Sequence, residues 1–478
     1  MSERRLFSRR GLLRSSALAA AGLSLAACGV STTSGTPTTA PAAATSAPEP
    51  TAAPVEATTA PEPTTAAAEK ATIRWLDWPD WEPNMDELMS LIATELPDIK
   101  VEFEPLGDGF EDKTLAAMVA GTAPDIITGW GPIFRKWAEK GQLLDLQPFV
   151  DRDMTAEQLA DFHKWQWDGM VDRTTKIRFA VPYYIDITML YYNKEAFDQE
   201  GVPYPDKNTD RDGYTELLAR MTKREGEEGD KVVRWGGSQY ISYDRIVVII
   251  QAYGGHFANP DDWTECWLGK QEAMDAIEWV RARMWDDNSI AQPLQIEGVG
   301  KATGTEAGPW AARMLATQES GMGSIMMYVN ESKFPWALTH LPPGASRRVT
   351  SGGIDGWAVY KGTKQPEAAW KFLQFLTGVK FQPFIMRAWS GLPCRLSLLP
   401  QWKETVTTAY PVLKDANLDA VLEALQMGYP MLTEEFKNQA ESQAAINAAM
   451  EKILSVGGTP VTYLQEVADQ VTAINREE

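Results

Sequence analysis

Three cysteines and three histidines in 478 residues leave little material for metal chemistry or for a disulfide framework. His163, His256 and His340 lie far apart, and neither an HExxH pair nor a cysteine pair at zinc-ligand spacing occurs, so no metal site is indicated. The chain also lacks a GxSxG elbow, a Walker phosphate loop, a Rossmann glycine fingerprint and a Cys-His arrangement. An enzyme of those kinds is not expected, nor is a cofactor. Paired carboxylates of a glycosidase stay open, because 65 acidic residues supply many chance pairs. Positive charge is the scarcer sign: 45 Lys and Arg face the 65 acids, for a net charge of −20. Such a surface repels nucleic acid and anionic headgroups, which points to a neutral or cationic partner.

The apolar run ALAAAGLSLAA at residues 17–27 is too short to span a bilayer, which takes about 20 residues. It follows the basic SRRGLLR at residues 8–14 and precedes Cys28, the layout of an export signal. The paired arginines resemble a twin-arginine signal, whose cargo crosses already folded. Leu25-Ala-Ala-Cys28 resembles a bacterial lipobox, in which the cysteine becomes the lipidated first residue. Residues 1–27 are therefore expected to be a signal peptide, and 28–68 a lipidated cysteine with a disordered tether. The tether is almost entirely Ser, Thr, Ala, Pro and Gly, with Glu49, Glu56 and Glu62 its only charges. Forty such residues reach about 35 Å. The expected location is extracytoplasmic, at the outer face of the cytoplasmic membrane or in the periplasm, held by lipid alone. The signal carries five arginines against one glutamate, so its removal changes the net charge from −20 to −24. Cys266 and Cys394 remain, with a disulfide between them left open.

Residues 69–478 are too many for one hydrophobic core. Short apolar strands alternate with helices: ATIRWL, a helix from about Asn84 to Leu96, IKVEFEPL, a helix near Lys113–Ala120, then DIITGW. That alternation predicts an α/β sheet with largely parallel strands and a ligand beyond the strands' carboxyl ends. Further on, RIVVIIQAYGG and KQEAMDAIEWVRARMWDDN read as helices, GSIMMYVN as a strand, SGGIDGWAVYKG as another, and PEAAWKFLQFLTG as a helix starting near Pro366.

Tryptophan is abundant, at 18 residues, and several indoles stand beside Gly, Asp or Pro rather than in periodic apolar segments. In Trp75-Leu-Asp77-Trp78-Pro-Asp80-Trp81, the first indole is simplest as core. Trp78 and Trp81 sit in a loop where an indole face can stack on a sugar's C–H surface while Asp77 accepts hydrogen bonds from hydroxyls. An aromatic cluster packed under the loop explains them about as well. Trp130, between two glycines, and Trp389 share this character. Asp186 lies in the otherwise apolar VPYYIDITML with Tyr183 and Tyr184, a position that is either ion-paired or open to a cleft. Tyr328 and Asn330 close the expected strand GSIMMYVN, and Tyr240 is a further aromatic candidate. Gly353 and Asp355 belong to Ser351-Gly-Gly-Ile-Asp355, where glycines either let a ligand reach the backbone or form a bulge.

Five segments, AGTAPDII, VPYYIDITMLYYNKEAFDQEGVPYP, DGYTELL, EAMDAIEWVRA and SGGIDGWAVYKGTKQPEAAWKFLQFLTG, together resemble the extracellular solute-binding proteins related to maltose-binding protein, the receptors of ABC importers. The likeness covers most of residues 70–400 and fades after about Gln401. It implies a two-lobe, periplasmic-binding-protein-like α/β fold with hinge crossovers and an interlobe ligand cleft. The first lobe would comprise 69–185 with 356–391, the second 186–355 with 392–478. Crossings would fall near Tyr184–Ile187, Ser351–Gly356 and Gly391–Arg395. The resemblance implies polar contact from Asp186 and aromatic contact from Trp130, with Tyr328 comparably placed. It also implies a monomeric receptor that passes a small solute, a carbohydrate by its aromatics, to importer membrane subunits. A polyamine or other cation among Asp77, Asp80, Asp186 and Asp355 is the first alternative, a surface-anchored glycosidase the second, and a sensory or adhesive lipoprotein the third. Anionic solutes are disfavoured because no Arg or Lys cluster accompanies these residues.

Overall fold

The computed structural model describes residues 70–477 apart from 228–230, 304–306 and 433. The expected signal peptide, Cys28 and the tether lie outside the described residues. Strand β1 (Ala71–Asp77) buries Ile73, Trp75 and Asp77 at alternate positions, the period that turns one strand face to a core. Helix α1 (Met85–Glu95), β2 (Ile99–Pro105), α2 (Phe110–Ala120) and the fully buried β3 (Ile126–Gly129) follow. Trp130 then leads into α3 (Gly131–Glu139), which has Pro132 in its first turn. A short helix α4 (Lys164–Gly169) precedes β4 (Val181–Pro182).

Next come β5 (Tyr184–Ile185) and β6 (Thr188–Asn193), whose six residues are all buried. Asn193 caps α5 (Lys194–Glu200), its side-chain oxygen accepting from the Ala196 N–H at 3.1 Å. Helices α6 (Arg211–Met221), α7 (Tyr243–Ala252) and α8 (Gln271–Trp285) pack one side of β6. The chain returns in β7 (Thr317–Gly321), helix α9 (Ile325–Glu331) and β8 (Trp336–Thr339). Both β7 and β8 pair antiparallel with β6, so this sheet departs from the parallel arrangement expected. The segment GSIMMYVN is a helix, not a strand. Its Ile325 and Tyr328, three residues apart, are both buried, while the neighbouring strand is the polar TQESG. A short apolar run fits either periodicity, and here the helical one wins.

The chain then recrosses in β9 (Thr350–Gly352) and β10 (Gly356–Val359). β10 inserts antiparallel between β3 and β4, completing a five-stranded sheet in the order β2-β1-β3-β10-β4. Helices α10 (Pro366–Leu376) and α11 (Gln382–Trp389), strands β11 (Leu392–Pro393) and β12 (Pro430–Leu432), and helices α12 (Gln439–Met450) and α13 (Tyr463–Arg476) finish the fold. Two core clusters draw on residues 73–183 and 357–385, and two others on residues 185–349 and 386–471. The chain thus forms two lobes, each closed by a late return of the backbone. No helix among the described residues is long and apolar enough to cross a membrane. Cys266 and Cys394 are free thiols, each buried, and burial pushes both up to about 12.

Asp77 ties the first lobe together. Its carboxylate is fully buried at the end of β1, accepting from the Trp357 indole N–H of β10 at 2.6 Å and from the Trp78 amide at 2.7 Å. Burial pushes its pKa up to about 7, against the lowering effect of these donors. Trp357→Phe keeps a benzene ring but removes the pyrrole ring with its donor, and should cost about 1–3 kcal/mol or more in urea unfolding, from the lost bond and the cavity left behind; an unchanged midpoint would show that the bond contributes nothing net.

Candidate functional site

Three chain segments pass between the two sets of cores, and they hydrogen-bond to one another side by side. The Tyr183 amide donates to the Asp355 carbonyl at 3.0 Å and the Gly353 amide to the Asp186 carbonyl at 2.9 Å, while Ile187 bridges Gly352. The third segment joins through β11, with Leu392 opposite Ile185 and Pro393 opposite Tyr184. Side chains reinforce this belt. Gln166 of α4 donates to the Tyr184 carbonyl at 2.6 Å, and Gln382 donates to the Tyr183 carbonyl while its oxygen accepts from the Cys394 amide.

The belt brings Asp186 and Asp355 together. A Cβ on Gly353 would lie 2.6 Å from the Asp355 carboxylate and 3.1 Å from the Asp186 Cβ, so only glycine fits between them. Gly321 is similarly confined, 2.9 Å from an Asp186 oxygen. Asp186 accepts from the Met322 amide at 2.8 Å. Arg245, near the start of α7, donates to the Thr188 hydroxyl at 2.8 Å, and its charge favours ionisation of both acids. Burial nevertheless dominates. It raises Asp186, and with the neighbouring Asp186 charge it pushes Asp355 up to about 8.

These groups line a cavity of about 240 Å³. Trp130, Gly131 and Pro132 form its first-lobe wall; Tyr184, Asp186 and residues 351–355 form its floor; Tyr243, Asp244, Arg245, Glu435 and Gln439 form the second-lobe wall. Trp130 is backed by Trp78, whose indole stacks on it at 6.1 Å with 13° between planes, and by Phe110. A second cavity of about 810 Å³ continues between α3 and α12, sharing Trp130, Pro132 and Gln439 with the first. The arrangement offers one broad apolar face opposite several hydrogen-bonding groups of both signs.

Of the sequence candidates, Trp130, Tyr184, Asp186, Gly353 and Asp355 line the inner cavity. The others do not, for physical reasons. Asp77 is consumed by Trp357 and the backbone. Trp81 is fully buried because the turn Pro79–Asn84 folds it back onto Trp75, Tyr183 and Phe384. Tyr183 lies in the same core against Trp357 at 4.2 Å. Tyr328 is buried among Tyr191, Trp310 and Trp336 once its segment is helical, which leaves Asn330 exposed on the outer face of α9. Tyr240 is exposed, its hydroxyl accepting from Gln318. Trp389 stands edge-on to Tyr184 at 4.7 Å, and Trp78 is one layer behind Trp130. Sequence reasoning missed Arg245 and Glu435. A lone arginine heading an apolar helix was the available sign of Arg245; it stands as a single basic residue among the acids, not as a cluster. Nothing local distinguishes Glu435.

Comparison with known proteins adds context. The family model for bacterial extracellular solute-binding proteins matches residues 78–383. The maltodextrin-binding protein MdxE of Bacillus subtilis (strain 168) is 25% identical over 276 residues, covering 54% of this chain and 57% of that protein. The chain thus matches little more than half the length of this curated relative. Among solved structures, the ABC substrate-binding protein Lmo0181 of Listeria monocytogenes, in complex with cycloalternan, has a TM-score of 0.72 at 21% identity, covering 85% of this chain and 99% of that one. Maltose-bound MalE3 of T. maritima scores 0.64 at 16% identity over 85% and 99%. UgpB of Mycobacterium tuberculosis, in complex with glycerophosphocholine, scores 0.68 at 17% identity over 85% and 98%. At these identities the structures establish a shared fold.

The raised carboxyls imply a pH test. A group whose folded pKa lies above its unfolded value takes up a proton on folding, so its stability contribution is lost as pH rises from about 4 towards about 8 for Asp355. Asp355→Asn should melt progressively higher than wild type across that range, by on the order of 5 °C at pH 8. Parallel melting curves at all pH values would place Asp355 in solvent.

Proposed function

Because the chain belongs to the bacterial extracellular solute-binding protein family, we propose that it captures a carbohydrate between its lobes outside the cytoplasm and delivers it to the membrane subunits of an ABC importer. The observation that carries this reading is the inner cavity, where the Trp130 indole, stiffened by the Trp78 stack, faces Asp186, Asp355 and Arg245. An indole face suits the C–H surface of a sugar ring, and carboxylates with a guanidinium accept from and donate to its hydroxyls. The lobes would divide at the three crossovers, as 69–185 with 356–391 and 186–355 with 392–478. Solute held on one lobe and then contacted by the other favours the closed form, which importer subunits recognise. Lipidation of Cys28 would tether this monomeric receptor at the membrane through residues 29–68.

A second reading has its own support. Asp186, Asp244 and Asp355 line the inner cavity together with Glu435, which Arg135 pairs, and Arg245 is the one basic residue among its lining groups. A cationic solute such as a polyamine would suit that balance.

A thermal-shift screen of sugars, polyamines and amino acids separates the readings. At 100 times its dissociation constant a cognate solute adds about 2.7 kcal/mol of stability. We expect a sugar to shift the melt and to be recovered intact. Shifts by amines alone would favour the cation, and a cleaved sugar would establish a glycosidase. For the sugar, Trp130→Ala should weaken binding by about tenfold or more in calorimetry, through loss of the stacking face. Unchanged affinity would remove Trp130 from the binding surface.

A further inference from the structure

Where the inner and outer cavities meet, Arg135 of α3 contacts Glu435, four residues ahead of the first residue of α12, in an ion pair. Its partners belong to different lobes. Around Arg135, Ile133, Phe134 and Trp137 pack into a first-lobe core, whereas Phe436, next to Glu435 in the chain, packs into a second-lobe core. Both charges are withdrawn from solvent, Arg135 to 3% exposure and Glu435 to 8%. Glu435 is the ion-pair partner of Arg135, whose Nε has no hydrogen-bond acceptor among the described residues; Glu139, on the same helix, also feels the Arg135 charge. Glu435 is raised by burial and lowered by Arg135 and by Arg173, with Asp172 opposing them.

The second lobe holds Glu435 firmly through the residue before it. The Glu434 carboxylate accepts from the Phe257 and Ala258 amides at 2.7 and 3.0 Å and from Gln251, and contacts His256 Nδ1 at 2.7 Å. Its carbonyl accepts from the Tyr243 hydroxyl at 2.5 Å. Glu435 is thereby presented to α3 by a braced backbone rather than by a free loop.

Removing one partner of a buried pair leaves an uncompensated buried charge, which is strongly unfavourable. Here that charge is buried only while the lobes are together, because separating them returns both groups to water. Damage to the pair therefore falls on the closed form and spares the folding of either lobe.

We propose that Arg135 and Glu435 form an interlobe latch, a pair of positioning residues that sets the balance between closed and open forms and so scales the affinity for every solute by a common factor. The affinity part of this inference rests on the receptor reading above; the closure part does not.

The test uses the full chain with Glu435→Gln, Arg135→Gln and the charge swap Arg135→Glu/Glu435→Arg, read by small-angle scattering without solute and by calorimetry and dissociation rate with each solute that shifts the melt. Each single variant is expected to enlarge the radius of gyration and to raise Kd about tenfold, by the same factor for all solutes and through faster dissociation. The swap should return both readouts towards wild type. An unchanged radius in both single variants overturns the latch, as does a loss confined to one solute, which would make the pair a direct contact. A single variant that fails to fold also overturns it, because the pair would then support a lobe. If no sugar binds, the receptor reading fails and the scattering alone decides the latch.

Discussion

Backbone hydrogen bonds among the three segments that pass between the lobes fix where the residues of the cleft floor stand. Asp186 faces its cavity because Gly353 donates to its carbonyl, and Asp355 faces the same space because its own carbonyl accepts from Tyr183. Strand side chains alternate, so a slip of one residue in this pairing would send both carboxylates to the opposite face. The belt is short, and so it depends on support from outside. Gln166 and Gln382 supply that support by holding carbonyls of the first segment from two helices. Gly353 allows the first two segments to approach this closely, and Gly321 of β7 leaves room for the Asp186 carboxylate.

The same low-dielectric logic governs two aspartates with opposite fates. Asp77 and Asp186 both sit among apolar strand residues, and burial raises both. Asp77 meets an indole donor from β10, two strands away in the same sheet, and becomes a fastening inside one lobe. Asp186 meets backbone amides and a shared guanidinium, and keeps a face towards the cavity. What separates a carboxylate locked in the core from one left facing the cavity here is the partner brought by a distant part of the chain, not the local sequence.

That distinction marks how far the sequence could be read. Strand and helix periods from Ala71 to Gly129 were legible, because the alternation of buried positions in β1 is a local effect. The two-lobe fold was legible through resemblance, which also singled out Asp186 and Trp130, both of which line the inner cavity. The fate of WLDWPDW was not. Its last two indoles look equivalent in the chain, yet the turn after Pro79 drives Trp81 onto Trp75 in the core and leaves only Trp78 near the cleft, behind Trp130. Arg245 and Glu435 escaped for the same reason. Their roles are set by partners more than 50 and about 300 residues away, which no window along the chain contains.

The two thiols of the described residues have a consequence for how the fold matures. Cys266 and Cys394 lie in separate parts of the second lobe and the hinge belt, each shielded and held as a neutral thiol near neutral pH. Neither closes a loop, so no covalent step has to follow collapse. The packed form is reached by burial and hydrogen bonding alone, and it is indifferent to whether its surroundings are reducing or oxidising.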